Sequence, residues 1–484
     1  ASICAKESTL AKHSSFNERS TISFDFDDKN ELSSFFKGIL YDNTSRKDKN
    51  EFYSGWINTP KSRLTTKMAE KLHQALYISY SKLLKRLKSE RFNERESFLK
   101  EFSRMFLTGV FVLKIQPASE SVAYNIFESL NNRGYALAPE DLIKNHLFKK
   151  AIDKDKVQNK WVKLKELSDD LPLGTSLIEV IHFSYLSRFG FCQKNKLYEK
   201  VSKLSVSSEE YIDGLLSDVE SISLLQNDKH AKHLSNIKGE REIAIEETAD
   251  FIKYMKIKFM FVLIVAIFSD SASKNQWDKW IHLINNFVFR YMKIIPDTSL
   301  NAMAKELSKL ATEVRLGSAG LEEAKQVFRS LANDNEFVKH LASKSFSPKA
   351  KSLLGYTLSK IYNQVSVGVI TGKIGTRKND NHLEHIMPQS PGPKEWPRAS
   401  HLKDENRAKF DDYLWRLGNI TILESSINTK IGNSSFVDKT KEYSKSKIQH
   451  NVRISKKSLS EWGVDEILVR QKALARYSLK VWAI

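Results

Sequence analysis

Glu384 and His385 stand side by side ahead of Ile386 and Pro388, and three asparagines follow them: Asn419, Asn428 and Asn433. Cleaving a phosphodiester in line needs a base to deprotonate water and a hard cation to neutralise charge on the phosphate and the leaving oxygen. Histidine supplies a base near neutral pH. Carboxylate and amide oxygens suit Mg2+ or Mn2+, which prefer oxygen ligands and keep several waters. Together these residues have the side chains of a one-metal nuclease.

The local pattern supplies elements to position them. Residues 382–387 read as a short extended segment stopped by Pro388, which biases Met387 away from helix. Residues 419–423 (NITIL) alternate and are β-branched, so a second strand is expected there. Ser434 and Ser435 offer N-caps to a helix through Phe436, Val437, Lys439 and Tyr443. The expected order is strand, loop, strand, helix.

This stretch resembles the HNH (ββα-metal) nucleases, and among them the nuclease domain of GmrSD-type modification-dependent restriction enzymes. That domain carries a His-Ile-x-Pro box, matched by His385 to Pro388, and a Leu-Gly-Asn-hydrophobic-Thr-Leu-Leu box, matched by Leu417 to Leu423. A later Asn, a Lys and a Tyr-x-x-Ser are matched by Asn428, Lys439, Tyr443 and Ser446. The resemblance implies an endonuclease or nickase of anti-phage defence acting on modified DNA, with His385 as general base and Mg2+ or Mn2+ as cofactor.

Glu384 and Asn428 are the expected metal ligands, and Asn419 is expected to orient His385 or the scissile phosphate. Neighbouring strand residues point to opposite faces, so Glu384 and His385 share a site only where the strand bends. His382 or a backbone carbonyl is the alternative ligand. Asn433, after Gly432, also reads as turn chemistry. Lys430, Lys439, Lys441 and Lys445, with Lys447 beyond, are expected to hold the phosphate backbone, helix spacing placing Lys441 and Lys445 on one side.

The chain has 484 residues and a formal charge of +19. Residues 349–484 hold 24 Lys plus Arg against 13 Asp plus Glu, so +11 of that excess lies beside the expected site. Positive charge there favours a polyanionic substrate. Cys4 and Cys192 are the sole cysteines, which excludes a disulfide framework and a thiolate zinc site and fits a reducing cytoplasm. No signal-peptide core opens the sequence, and the most apolar run, residues 259–268, is too short to span a bilayer and reads as a buried helix.

Three domains are expected, in a mainly α-helical chain with a small α+β C-terminal domain. Residues 1–150 are read as the C-terminal part of a ParB-like domain, 151–345 as a helical domain and 346–484 as the nuclease. In the first, a strand is expected at 21–27, a loop at 40–56, helix from Lys61, another strand at 110–115 and a helix-turn-helix corner through Leu130, Asn131 and Pro139. The corner (FESLNNRG, 127–134) also resembles GmrSD-type proteins; Arg133 and Lys144 are candidates to touch phosphate, while the Asn-Asn-x-Gly turn and Asp141 as a first-turn carboxylate give the box a structural explanation, which is favoured. The family's Asp-Gly-Gln-Gln-Arg box, tied to nucleotide handling, is missing from the sequence. An upstream domain or partner subunit bearing it is therefore expected. Helices are expected through Ile178 to Leu186 and over 211–225, 242–268, 277–294 and 300–314, with a boundary marked by Asn333 to Asn335 and Ser345 to Pro348, then helices over 351–365 and 464–482. Two other readings stay open: an RNA-cleaving HNH nuclease, and a DNA-binding sensor with a degenerate nuclease fold.

Overall fold

Short polar side chains open the helices that dominate this protein. Asp153, Ser207, Ser299 and Asn333 each accept a hydrogen bond from a backbone N–H of the first turn they precede, which satisfies a donor the helix cannot. The computed structural model describes residues 139–226, 238–365 and 381–484, with isolated helical positions between 74 and 105. The expected elements at 21–27, 40–56 and 110–115 and the 127–134 corner lie outside the described residues. Pro139, expected at a helix start, opens Pro139–Lys150.

Residues 139–484 fall within one compact unit, mainly α-helical with one small sheet. Its central helix, Phe261–Ser269, is apolar on every side and buried from Phe261 to Ile267, as such a helix must be. It packs against Leu177–Phe189, Ser208–Ser223 and Leu300–Arg315. Among the described residues no helix is long and apolar enough to cross a membrane. The continuous helix expected over 242–268 is broken: Lys238–Asp250 runs into a π turn, Phe251–Met255, and then left-handed Lys256 at φ 52°. Asn333 does not end the helical region but caps a further helix, Asp334–Ser343, which packs along the C-terminal helix.

The C-terminal part begins with α1 (Lys351–Val365), as the pattern predicts. Strand β1 (Asn381–His385) pairs antiparallel with β2 (Ile420–Glu424), with Glu384 opposite Thr421 and His385 opposite Ile420. The polar connector between them forms two helices, α2 (Pro397–Glu405) and α3 (Arg407–Leu414), started by Pro397 and capped by Asn406. After β2 come α4 (Ser425–Ile431), α5 (Phe436–Tyr443), α6 (Gln449–Ser455) and α7 (Val464–Val481). Ser435 caps α5 as its position suggests; α4 is an element the sequence pattern does not mark.

Candidate active site

Two backbone features set the hairpin in place. Gly418 lies flat against α7: a Cβ there would meet the Ile467 carbonyl oxygen at 1.9 Å, so only glycine allows this approach. Its N–H donates to Gln471 Oε1 at 2.7 Å. Arg470, one residue earlier on α7, donates to the carbonyls of Leu417, Gly418 and Ile420 at 2.8–3.1 Å and to the Tyr362 hydroxyl at 2.7 Å. Neither Arg470 nor Gln471 was marked by the sequence, where both read as polar positions of an amphipathic helix.

Asn419 follows Gly418 and is fully buried. Its Oδ1 accepts from the Met387 N–H at 2.8 Å, and its Nδ2 donates to the carbonyls of Met387 at 3.0 Å and Leu414 at 3.2 Å. A backbone donor on one side and two carbonyls on the other leave one orientation of the amide. The same Leu414 carbonyl accepts from His385 Nδ1 at 3.1 Å. His385 Nδ1 therefore carries the proton, and Nε2 is left with its lone pair and no partner among the described residues. The imidazole stands edge-on to Trp415, ring centroids 4.7 Å apart at 88°. Burial pushes His385 down to about 4, against the Leu414 bond and with the charges of Lys439 and Lys351. It is a neutral, fixed acceptor at pH 7, and Asn419 positions it through a shared carbonyl, itself too buried to reach a phosphate.

Glu384, expected as a metal ligand, lies in an ion pair. Strand alternation sends it to the opposite face, where Lys439 Nζ donates to its Oε1 at 2.5 Å and the Tyr443 hydroxyl donates to the same oxygen at 3.2 Å. Lys439 also donates to the carbonyls of His385 at 2.9 Å and Ile386 at 3.2 Å. Burial pushes the Glu384 carboxyl up and the Lys439 ammonium down, each opposed by the other's charge. Three oxygens thus already surround one cation, and a divalent ion brought there would meet the ammonium. No group of three or more His, Cys, Asp or Glu that would hold a metal occurs among the described residues. Glu384 is a structural ion-pair partner, and the donors around it do not fit a divalent metal.

Asn428, on α4, meets His382, with Nδ2 3.3 Å from the imidazole Nδ1. No hydrogen bond joins it to Glu384 or His385 among the described residues. Asn433 is exposed, and its contribution is its backbone carbonyl, which accepts from the Trp396 indole at 3.2 Å.

The lysines expected to hold phosphate fall into two groups. Lys439 is fully buried and cannot lie on the expected phosphate face. Lys430 and Lys445 both pair with Glu442, at 2.7 and 2.8 Å, and Lys441 pairs with Asp438 at 2.7 Å. Three exposed ammoniums therefore share two carboxylates on that face. Lys439, Tyr443 and Ser446 instead fasten the hairpin: the first two hold Glu384 on β1, and Ser446 Oγ donates to Glu424 Oε2 on β2 at 2.8 Å.

Residues 331–477 match the family model of the GmrSD restriction endonucleases, C-terminal domain. Over those residues the chain is similar to the C-terminal domain of GmrSD restriction endonucleases. No curated protein matches the chain.

Proposed function

We propose that this chain is a DNA endonuclease or nickase of HNH type, serving restriction of foreign, modified DNA, with His385 as general base. The observation that supports this most directly is the fixed tautomer: Nδ1 is committed to the Leu414 carbonyl, so Nε2 is the nitrogen left as an acceptor. In this reading Nε2 takes a proton from water as the water attacks phosphorus, the opposite P–O ester bond breaks and its oxygen leaves as an alcohol protonated from solvent, and the Leu414 carbonyl steadies the imidazolium that forms. Asn419 keeps that carbonyl and the Met387 backbone in register, so the ring need not reorganise during the step. A divalent cation, Mg2+ or Mn2+, would neutralise charge on the phosphate. Of the expected ligand set, Asn428 and the alternative His382 are the side chains not committed to Lys439.

The test is cleavage of labelled duplex DNA by His385→Ala and by the parent in Mg2+ or Mn2+, with binding followed alongside. Loss of a positioned base costs about 10² to 10⁴ in rate, so the variant should bind DNA and show no detectable cutting. Parental cutting by His385→Ala would remove the nuclease assignment from this site.

A further inference from the structure

The segment that leads into α1, residues 344–351 (KSFSPKAK), is bound to the loop that carries the His385 partner. Phe346 N–H donates to the Trp415 carbonyl at 2.9 Å, Ser345 Oγ donates to the Asp412 carbonyl at 2.8 Å, and Ser345 bridges Arg416. Its lysines differ from those on and around α4 and α5. Lys349 and Lys351 are exposed and have no carboxylate partner among the described residues, whereas Lys430, Lys441 and Lys445 are each paired. Lys351 Nζ stands 5.4 Å from the centre of the Trp415 ring, the same ring that meets His385 edge-on. Two ring contacts thus separate an unpaired ammonium from the base.

We propose that residues 344–351 form the strap on which the DNA backbone is seated, with Lys351 contacting the phosphate nearest His385 and Lys349 one further along the same strand. This rests on the nuclease reading of His385 and adds the substrate contact that α5 does not supply. An ammonium without a carboxylate partner binds phosphate by releasing counterions alone. A paired one must first give up its carboxylate, which cancels part of the gain. Lys351 on α1 and the Ser345–Phe346 bonds to 412–416 make the strap and the base one rigid piece, so a phosphate held by Lys351 is held relative to Nε2. Lys344, half-buried over the Phe346 ring at 5.7 Å, braces the strap.

Binding to duplex DNA is measured across salt concentrations in the full chain carrying His385→Ala, so that no cleavage intrudes. Each lost phosphate contact lowers the slope of log affinity against log salt by about 0.9. Lys349→Gln and Lys351→Gln together should lower it by nearly two units, each alone by about one, and Lys351→Arg should restore it. Lys441→Gln with Lys445→Gln should move it less. Thermal melting checks that the exposed substitutions leave the fold intact, and the single variants serve if the double melts early. An unchanged slope in the strap variants, or a parent without salt-dependent DNA affinity, overturns the proposal. Because the slope is read without cleavage, it can hold where the nuclease reading fails, and the His385→Ala cutting assay can hold where the slope does not move.

Discussion

At the scale of single residues, the box around His385 was legible as chemistry but not as geometry. The histidine and Asn419 were marked by type and order, whereas their shared partner is a backbone carbonyl at Leu414, which no side-chain pattern announces. Glu384 was legible in one respect, since strand alternation alone puts it on the other face from His385. Trp415 had no signal at all, yet its ring covers the imidazole. Burial is the main reason His385 sits at about 4, and the sign follows. The base is lost only as pH falls through about 4, so cleavage should stay flat from neutral pH down to that region. Folding stability tied to this group should decline as pH falls from about 6.5, where the unfolded chain takes the proton, to about 4. Trp415→Ala lets water reach the ring and should move the acid limb of kcat/KM upward, toward the ordinary histidine value. A limb unmoved by the substitution would show that Trp415 does not set the desolvation.

Among the elements, strands and strongly periodic helices were legible: β1, β2, α1, α5 and α7 lie within a residue or two of where the pattern puts them. Helices α2, α3 and α4 were not, because their buried positions are few and widely spaced. In α3 only Phe410 and Leu414 are buried, and in α4 only Ile431. Their positions depend instead on tertiary partners, such as the Trp396 indole bonded to the carbonyls of Asn433 and Ser434. The Lys and Tyr of α5, which look like surface features beside a basic run, are its inner face. Lys439 is paired with Glu384 out of water. Breaking one side of a buried pair costs about 3–5 kcal/mol, since the other charge stays behind unpaired. Lys439→Met should therefore destabilise the protein by that order in urea titration. Adding Glu384→Gln to it should recover a large part of the loss. A single variant as stable as the parent would mean that Glu384 is neutral without its partner.

At the scale of the molecule, the sequence suggested a helical domain and a nuclease domain joined near 345, and the described buried residues on both sides of that point belong to one hydrophobic cluster. Side-chain pairing between distant segments makes the difference, and such pairing has no local signature. The C-terminal tail is held by the helical region: Arg290 donates to the Trp482 carbonyl at 2.6 Å, Asn286 to that of Ala483 at 2.9 Å, and Phe289 stacks on Trp482 at 4.0 Å. On the other side, Lys360 of α1 reaches the helix Lys238–Asp250. It bonds Glu247 Oε1 at 3.0 Å and lies 2.9 Å from Asp250 Oδ2, at an angle that makes no hydrogen bond.

The two carboxylates at this joint respond in opposite ways. Burial opposes the ionised Glu247, but His282, Lys360 and Asn285 hold it down to about 2. Burial pushes Asp250 up to about 6, with Lys360 opposing and Glu247 adding repulsion. A carboxyl whose folded value lies above its unfolded value of 3.8 binds its proton more tightly in the fold. Stability from Asp250 is accordingly present at low pH and is lost as pH rises from about 4 through about 6. Asp250→Asn removes the ionisation and keeps the shape. The variant should be more stable than the parent at pH 7 to 8, by an amount on the order of 1–3 kcal/mol at about 1.4 kcal/mol per pKa unit. That gap should close as pH falls below about 4, where the parent's Asp250 is protonated in both states. Urea unfolding at pH 4 and at pH 8 reads both halves of this expectation. A variant less stable than the parent at pH 8 would show that the Asp250 charge holds Lys360 and the joint together.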